Sequence, residues 1–204
     1  MTAMQATFSH IYRTNLWGNP ESRSGPGSTV ERTRPVREAL LAFVRELGVA
    51  TLLDAPCGDF NWMKETRLPL RRYIGVDVVP EIINENRRSY AASDRSFHAL
   101  DITCDALPRA DLVICRDCLV HLSFADAWRA IRNFQGSGAV YLVTTTFTRR
   151  QHNSDITTGQ WRPINLREAP FGFPAPLDSK SDGCPHPEYT DKELALWRLR
   201  ELPG

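Results

Sequence analysis

The chain has 204 residues, of which 42% are hydrophobic and 24% are charged, so it can bury an ordinary core and is not disordered as a whole. Its formal net charge of +1 gives no reason to expect a nucleic acid as partner. No apolar run approaches the roughly 18 residues that a membrane span needs, and the N-terminus lacks the pattern of a signal peptide, so we expect a cytoplasmic protein without membrane association.

Residues 1–30 show no sustained periodicity and include a Ser-, Gly- and Pro-rich run at residues 22–28 that is typical of a loop. A helix is predicted to begin near Pro35 and to end at Gly48. We therefore separate residues 1–30, as an N-terminal lid or substrate-binding segment, from one domain over residues 31–204.

From residue 51 onwards, short apolar runs alternate with amphipathic helical patterns. The predicted strands are Thr51–Leu53, Tyr73–Val79, Ser96–Ile102, Asp111–Cys115 and Ala139–Thr144, and the predicted helices between them are Phe60–Arg67, Pro80–Tyr90 and Ser123–Gln135. Such alternation indicates parallel strands joined by crossovers. The fold class is therefore α/β, with a doubly wound, mostly parallel sheet in a three-layer α/β/α arrangement.

After Thr145 the alternation stops. Residues 146–190 are rich in Pro, Gly and aromatic residues and form an irregular insertion that we expect on the substrate side. The apolar run Glu193–Leu202 is predicted to be a terminal sheet strand.

Two acidic residues stand at the ends of the first two predicted strands. Asp54 opens the turn Asp54-Ala55-Pro56-Cys57-Gly58-Asp59-Phe60, and Asp77 follows 23 residues later. This separation is close to the roughly 20 residues that place a second acid on a ribose hydroxyl in nucleotide-binding α/β folds. The pair predicts a site for a nucleoside cofactor.

With the turn, Asp77 and the strand pattern, residues 36–145 resemble the class I S-adenosylmethionine-dependent methyltransferases. In that family the first strand ends in an acidic-x-Gly-x-Gly-x-Gly turn. Asp54 and the Cys57-Gly58 core match it, whereas Pro56 and Phe60 stand in place of the first and third glycines. The resemblance implies a Rossmann-like methyltransferase fold with S-adenosyl-L-methionine as cofactor. The segments Cys115–Leu122 and Thr144–Phe147 also resemble a group of small bacterial methyltransferases, which implies no particular substrate.

The same resemblance assigns cofactor contacts along the strand ends. The residues it implies are Asp54, Pro56, Cys57, Gly58 and Asp59 in the turn, Asp77 and Val78 at the ribose, Asp101 and Ile102 at the adenine, and Arg116 and Asp117 beside the methionine portion. Asp77 has one alternative reading, as the cap of the helix Pro80–Tyr90, and Asp101 as an ordinary loop residue.

His121 is the best candidate for a general base, with Asp117 as a second catalytic residue, because imidazole titrates near neutral pH. An equally weighted alternative is that His121 packs against the helix Ser123–Gln135. Since the predicted core binds the cofactor, we expect the chain ends to bind the acceptor, through Tyr12, Trp17, Arg149, Trp161 and Arg162. The alternative is a loop held together by its own Trp and Pro residues.

The predicted function is methylation of a small-molecule acceptor, most simply at a hydroxyl or carboxylate. Rival functions are a methyltransferase for a peptide, protein or RNA, and an NAD oxidoreductase or noncatalytic nucleoside binder. A zinc site from Cys115, Cys118, Cys184 and His186 is a weak alternative, because strong zinc motifs have two closely spaced ligand pairs and this chain has one; no metal site is predicted.

Overall fold

The computed structural model describes all residues, Met1–Gly204, and contains four α-helices around one seven-stranded sheet. The helices are α1 (Ala3–Thr14), α2 (Arg34–Glu46), α3 (Pro80–Tyr90) and α4 (Phe124–Gly136). The strands are β1 (Thr51–Asp54), β2 (Arg72–Asp77), β3 (Arg95–Ala99), β4 (Leu112–Cys115), β5 (Tyr141–Phe147), β6 (Asp178–Ser181) and β7 (Lys192–Arg198).

The strand order across the sheet is β3-β2-β1-β4-β5-β7-β6. Strands β1 to β5 are parallel, and β7 runs antiparallel to both β5 and β6. The winding reverses between β1 and β4, and ligands of open α/β sheets bind in the crevice at such a reversal, beyond the carboxyl ends of the strands. The predicted doubly wound, mostly parallel sheet is thus confirmed.

Both faces of the sheet are covered, as the apolar strands require. On one face Leu52 packs with side chains of α2 and α3, and on the other face Leu53 packs with side chains of α4. Alternate residues of one strand therefore enter opposite cores, which is the pattern of a strand buried on both sides. No helix has both the length and the apolar character that a bilayer crossing requires.

Three local predictions were wrong or incomplete. The helix predicted over Phe60–Arg67 is only a 3₁₀ turn at Met63–Glu65, since Phe60 takes a left-handed backbone with φ of +58° that no α-helix accommodates. The segment 1–30 contains α1, whose N-cap Thr2 accepts a hydrogen bond from the Gln5 N–H. The insertion 146–190 contains β6, a polar edge strand that periodicity does not reveal.

Candidate active site

A cavity of about 680 Å³ lies at the carboxyl ends of the central strands. It is lined by every residue predicted to contact the cofactor, namely Asp54, Pro56, Cys57, Gly58, Asp59, Asp77, Val78, Asp101, Ile102, Arg116 and Asp117. Tyr12, Trp17, His121 and Trp161 line the same cavity. The fold therefore brings residues from both chain ends and from the core to one site.

The turn after β1 is shaped by two left-handed residues. Gly58 has a φ of +53°, and a Cβ on it would collide with the Ser24 hydroxyl. Phe60, at the position of the third glycine in the motif, takes the positive φ of a glycine although it has a bulky side chain. Its ring is held by Tyr73, Tyr90 and Phe97, with centroids 5.1–5.2 Å away. Aromatic packing thus stabilises a left-handed backbone that a glycine would adopt without strain.

Asp54 is buried at the end of β1 and accepts a 2.6 Å hydrogen bond from the Tyr73 hydroxyl. Burial raises the pKa of Asp54 to about 7, and the Tyr73 hydrogen bond opposes that rise. A residue on the neighbouring strand β2 therefore orients this carboxyl group at the floor of the cavity.

Asp77 is buried at the end of β2, where its two oxygens accept hydrogen bonds from different backbone groups. Oδ2 accepts from the Gly58 N–H at 3.1 Å, and Oδ1 accepts from the Val79 N–H at 2.9 Å. Burial raises the pKa of Asp77 to about 6, although these N–H groups lower it. Val79 is the N-cap residue of α3, and that helix has no side-chain cap, so Asp77 does not take the capping role of the alternative interpretation; it lines the cavity.

Asp101 follows β3 and is tied to the start of the chain. Its Oδ1 accepts hydrogen bonds from the Thr103 N–H and hydroxyl at 2.9 and 2.6 Å. Its Oδ2 accepts from the Thr2 hydroxyl at 3.4 Å. The first turn of α1 thus closes the β3 end of the cavity.

The segment Ser22–Ser24 covers the turn after β1. The Asp59 carboxylate accepts hydrogen bonds from the Ser22 hydroxyl, the Arg23 N–H and the Ser24 hydroxyl at 2.8–3.2 Å. Ser24 Oγ in turn accepts from the Asp59 N–H at 3.1 Å. Asp59 therefore fastens the N-terminal segment over the cavity.

A network of charged side chains lines the β4–β7 side of the cavity. Lys192 Nζ lies 2.7 Å from Asp117 Oδ2 and 3.4 Å from Asp182 Oδ1. Arg116 donates to Asp182 Oδ2 at 2.9 and 3.2 Å, and Arg32 forms an ion pair with the same carboxylate. Sequence reasoning missed Arg32, Asp182 and Lys192, since nothing in their local sequence marks residues so far apart as neighbours.

Asp117 connects this network to β5. It has a φ of +50°, its N–H donates to Thr145 Oγ1 at 2.9 Å, and its Oδ1 accepts from the Thr145 hydroxyl at 3.2 Å. Although burial raises it, Arg116 and Lys192 together hold the pKa of Asp117 well below its usual range. The carboxylate is therefore ionised at neutral pH and is paired with Arg116 and Lys192.

His121 has a defined tautomer. Its Nδ1 lies 2.9 Å from the Gln160 carbonyl oxygen, which can only accept, so Nδ1 carries the proton and Nε2 of the neutral ring is a free acceptor. Burial lowers the pKa of His121, which favours this neutral form. The Trp17 ring lies against the imidazole with centroids 4.9 Å apart.

One wall of the cavity contains the rings of Trp161 and His186. Trp161, 43% exposed, packs edge-on against Phe147 and Tyr189, with centroids 6.2 and 5.1 Å away. His186 stacks on Tyr189 and also lines the cavity. This wall joins β5, the insertion and the start of β7.

Arg149 and Arg162, both predicted to bind the acceptor, do not line the cavity. Arg162 is buried, and its guanidinium donates to the carbonyl oxygens of Leu119, Leu122 and Ser154 at 2.8–3.1 Å. Arg149 is exposed and pairs with Thr190 and Asp191. The Arg162 guanidinium is held by three carbonyl oxygens, and the exposed Arg149 side chain lies outside the cavity, so the structure does not bring these two predicted acceptor contacts to the site.

The weak zinc alternative finds no geometric basis. No group of three or more His, Cys, Asp or Glu side chains is arranged to hold a metal ion. Cys115 and Cys118 are buried in the core, and the His186 Nδ1 accepts a hydrogen bond from the Glu188 N–H.

Comparison with known proteins gives matches at the level of structure alone. No protein-family model matches the sequence, and no curated protein matches it. The N-methyltransferase NodS from Bradyrhizobium japonicum WM9, solved with S-adenosyl-L-homocysteine, superposes with a TM-score of 0.64 and 18% identity over 92% of this chain and 97% of NodS.

Two further solved structures are similar over most of their length. Magnesium protoporphyrin IX methyltransferase (ChlM) from Synechocystis PCC 6803, with bound SAM, has a TM-score of 0.63 and 12% identity over 97% of this chain and 98% of ChlM. The 1,6-didemethyltoxoflavin-N1-methyltransferase of Burkholderia thailandensis has a TM-score of 0.60 and 18% identity over 96% of this chain and 86% of its own. The chain therefore has the fold of the class I S-adenosylmethionine-dependent methyltransferases.

Proposed function

We propose that this protein is an S-adenosylmethionine-dependent methyltransferase that acts on a hydroxyl or carboxylate of a small molecule. The observation that carries the proposal is the convergence of Asp54, Asp77 and Asp101, from the ends of three neighbouring strands, on one cavity that also contains His121. The acidic half suits a nucleoside, and the half around His121 suits an acceptor.

The donor and acceptor groups of the acidic half fit the cofactor. Each Asp77 oxygen is fixed by one backbone N–H and keeps a lone pair for a ribose hydroxyl. Asp101 is the acceptor for an adenine amino group, with Ile102 as apolar neighbour. When bound, S-adenosylmethionine supplies a methyl group on an already activated sulfonium. The cavity volume of about 680 Å³ is within the ~300–1,000 Å³ range of small-molecule sites.

His121 is the group that can take a proton from an acceptor hydroxyl. The Gln160 carbonyl fixes the ring so that Nε2 is the basic atom. The remaining contribution is alignment, because a methyl group transfers in line between its donor and acceptor atoms. A carboxylate acceptor needs no base, so the effect of removing His121 distinguishes the two acceptor types.

The cover over the cavity favours a small acceptor over a peptide, protein or RNA. Helix α1 contributes Met4, Phe8, Ile11 and Tyr12 to the cavity lining, and Trp17 and the residues from Ser24 to Ser28 follow that helix in the lining. Gly159, at φ +103°, allows α1 to approach so closely that a Cβ there would lie 2.6 Å from Thr7 Cγ2. A polymer would have to displace this tightly packed helix.

Calorimetry on the purified protein tests the cofactor assignment. We expect S-adenosylhomocysteine to bind and NAD to bind much more weakly; the reverse order would overturn the proposal. Isotope-labelled S-adenosylmethionine added to a cell extract, followed by mass spectrometry, then identifies the acceptor. Label on a hydroxyl or carboxylate of a small molecule is the expected result, and label on a nitrogen, a protein or RNA would contradict the acceptor class.

A further inference from the structure

The charged groups that line the cavity are separated by sign. The four carboxylates Asp54, Asp59, Asp77 and Asp101 lie at or just after the carboxyl ends of β1, β2 and β3. The three cations Arg32, Arg116 and Lys192 lie on the other side, together with Asp117. Because the sheet order is β3-β2-β1-β4-β5-β7, the acids lie on one half of the cavity, whereas Arg116 and Lys192 belong to the other half.

The basic half has an excess of positive charge. The network contains three cations, Arg32, Arg116 and Lys192, but only two carboxylates, Asp117 and Asp182, so its net charge is +1. These groups are shielded from bulk water: the exposed fraction of the side chain is 16% for Arg32, 4% for Arg116 and 9% for Lys192. An unbalanced charge in such a place is costly unless an anion joins it.

The network also has unused donors. The Lys192 ammonium has three N–H groups; one donates to Asp117, and Nζ also lies 3.4 Å from Asp182 Oδ1, which leaves at least one N–H without an acceptor. The Arg32 guanidinium uses Nη1 and Nη2 for Asp182 and Gly183 and leaves its Nε without a partner. Both residues line the cavity. Arg116, in contrast, is committed to Asp182 and to the Gly27 carbonyl oxygen.

We propose that Lys192 and Arg32 form a subsite for an acidic group, a carboxylate or phosphate, carried by the methyl acceptor. This inference rests on the proposed function and specifies its substrate class. Lys192, Arg32 and His121 line the same cavity, so the subsite and the proposed base face a common space. An acceptor anchored there by its acidic group would present its hydroxyl to His121, whose ring contacts Trp17 in the same cavity.

A second source of a carboxylate is the methionine portion of the cofactor, and a binding experiment separates the two. Inorganic phosphate is titrated into the protein saturated with S-adenosylhomocysteine or with 5′-methylthioadenosine, which lacks the carboxylate, and the ³¹P line width is measured. Phosphate binding to both complexes is expected. Binding only with 5′-methylthioadenosine would assign the subsite to the cofactor and overturn the proposal, as would no binding to either.

Two variants test whether the phosphate signal depends on Lys192. Lys192→Met should weaken phosphate binding at least tenfold while leaving S-adenosylhomocysteine affinity within about threefold of the wild type. Lys180→Met is the matched control, since Lys180 pairs with Asp178 on β6 and does not line the cavity. Equal phosphate binding by both variants would contradict the assignment.

A transfer experiment distinguishes failure of this inference from failure of the proposed function. Small molecules from a cell extract are separated on an anion exchanger before reaction with labelled S-adenosylmethionine. Label in the retained fraction is expected. Label only in the unretained fraction would overturn the acidic acceptor and leave the methyltransferase standing. No label in either fraction, with no binding of S-adenosylhomocysteine, would refute the proposed function, and the phosphate titration of the free protein would still report on the anion subsite.

Discussion

The Gly58 N–H donates a 3.1 Å hydrogen bond to Asp77 Oδ2 and so connects the turn after β1 to the end of β2. Because the Val79 N–H donates to the other oxygen, the carboxyl group is oriented before any ligand binds. A preoriented acceptor loses little side-chain entropy on binding, and this favours affinity.

Replacement of Asp77 tests this arrangement directly. Asp77→Ala should weaken S-adenosylhomocysteine binding more than tenfold, or about 1.4 kcal/mol, because two ribose hydroxyls lose their acceptor. Isothermal calorimetry gives the affinity, and the melting temperature shows whether the variant is folded. Asp94→Ala, an exposed acid after α3, should bind like the wild type. An unchanged affinity in Asp77→Ala would remove the ribose assignment.

Asp54 makes the stability of the fold depend on pH. Burial raises its pKa to about 7, above the value of about 3.9 for an unfolded Asp, so the folded chain binds this proton more tightly. The stabilising contribution is therefore complete below pH ~4 and is lost as the pH rises through about 7.

Asp54→Asn keeps an acceptor for the Tyr73 hydroxyl and does not titrate. Between pH ~4 and ~8 the variant should gain at least about 1 kcal/mol of unfolding free energy relative to the wild type, roughly 2–4 °C in Tm for a chain of this size. Urea unfolding across this range measures the difference. Asp94→Asn should follow the wild type at every pH, and a parallel course for Asp54→Asn would refute the role of Asp54.

His121→Ala should lower turnover by about 10²–10⁴-fold with a hydroxyl acceptor, because a positioned base contributes that much. The affinity for S-adenosylhomocysteine should stay unchanged, since the cofactor contacts come from other strand ends. Transfer of labelled methyl groups measures turnover, and His152→Ala, exposed and outside the cavity, is the control. Full activity of His121→Ala would exclude a base at this position.

Most of what could be predicted from the sequence came from apolar runs and from the acidic residues at strand ends. Residues 73–76 of β2 and all of β4 are continuous apolar segments, so their place in the sheet and the position of Asp77 could be derived from local pattern. Phe60 could not be derived in this way. Its left-handed backbone depends on Tyr73 and Phe97, which approach it only in the folded sheet.

The charged network was missed for the same reason, because its members meet only in the folded chain. Arg32 and Lys192 meet at Asp182 although 150 and 10 residues separate them from it along the chain. The local sequence around a loop arginine does not show whether its side chain contacts a ligand or a carbonyl oxygen. Arg162 and Arg32 are therefore indistinguishable by sequence pattern, and only the structure shows that Arg32 lines the cavity and Arg162 does not.

Arg162 should accordingly act on stability and not on acceptor binding. Arg162→Met removes two hydrogen bonds from the guanidinium and leaves the Leu122 carbonyl oxygen without its donor, whereas the Leu119 carbonyl oxygen keeps the Leu122 N–H at 3.3 Å. Each lost hydrogen bond to a charged group costs about 1.5–3 kcal/mol. We expect a loss of at least about 2 kcal/mol in urea unfolding. Because Arg162 does not line the cavity, the acceptor KM of the folded enzyme should not change. Arg149→Met, exposed and outside the cavity, should alter neither quantity. A raised KM with unchanged stability in Arg162→Met would restore Arg162 as an acceptor contact.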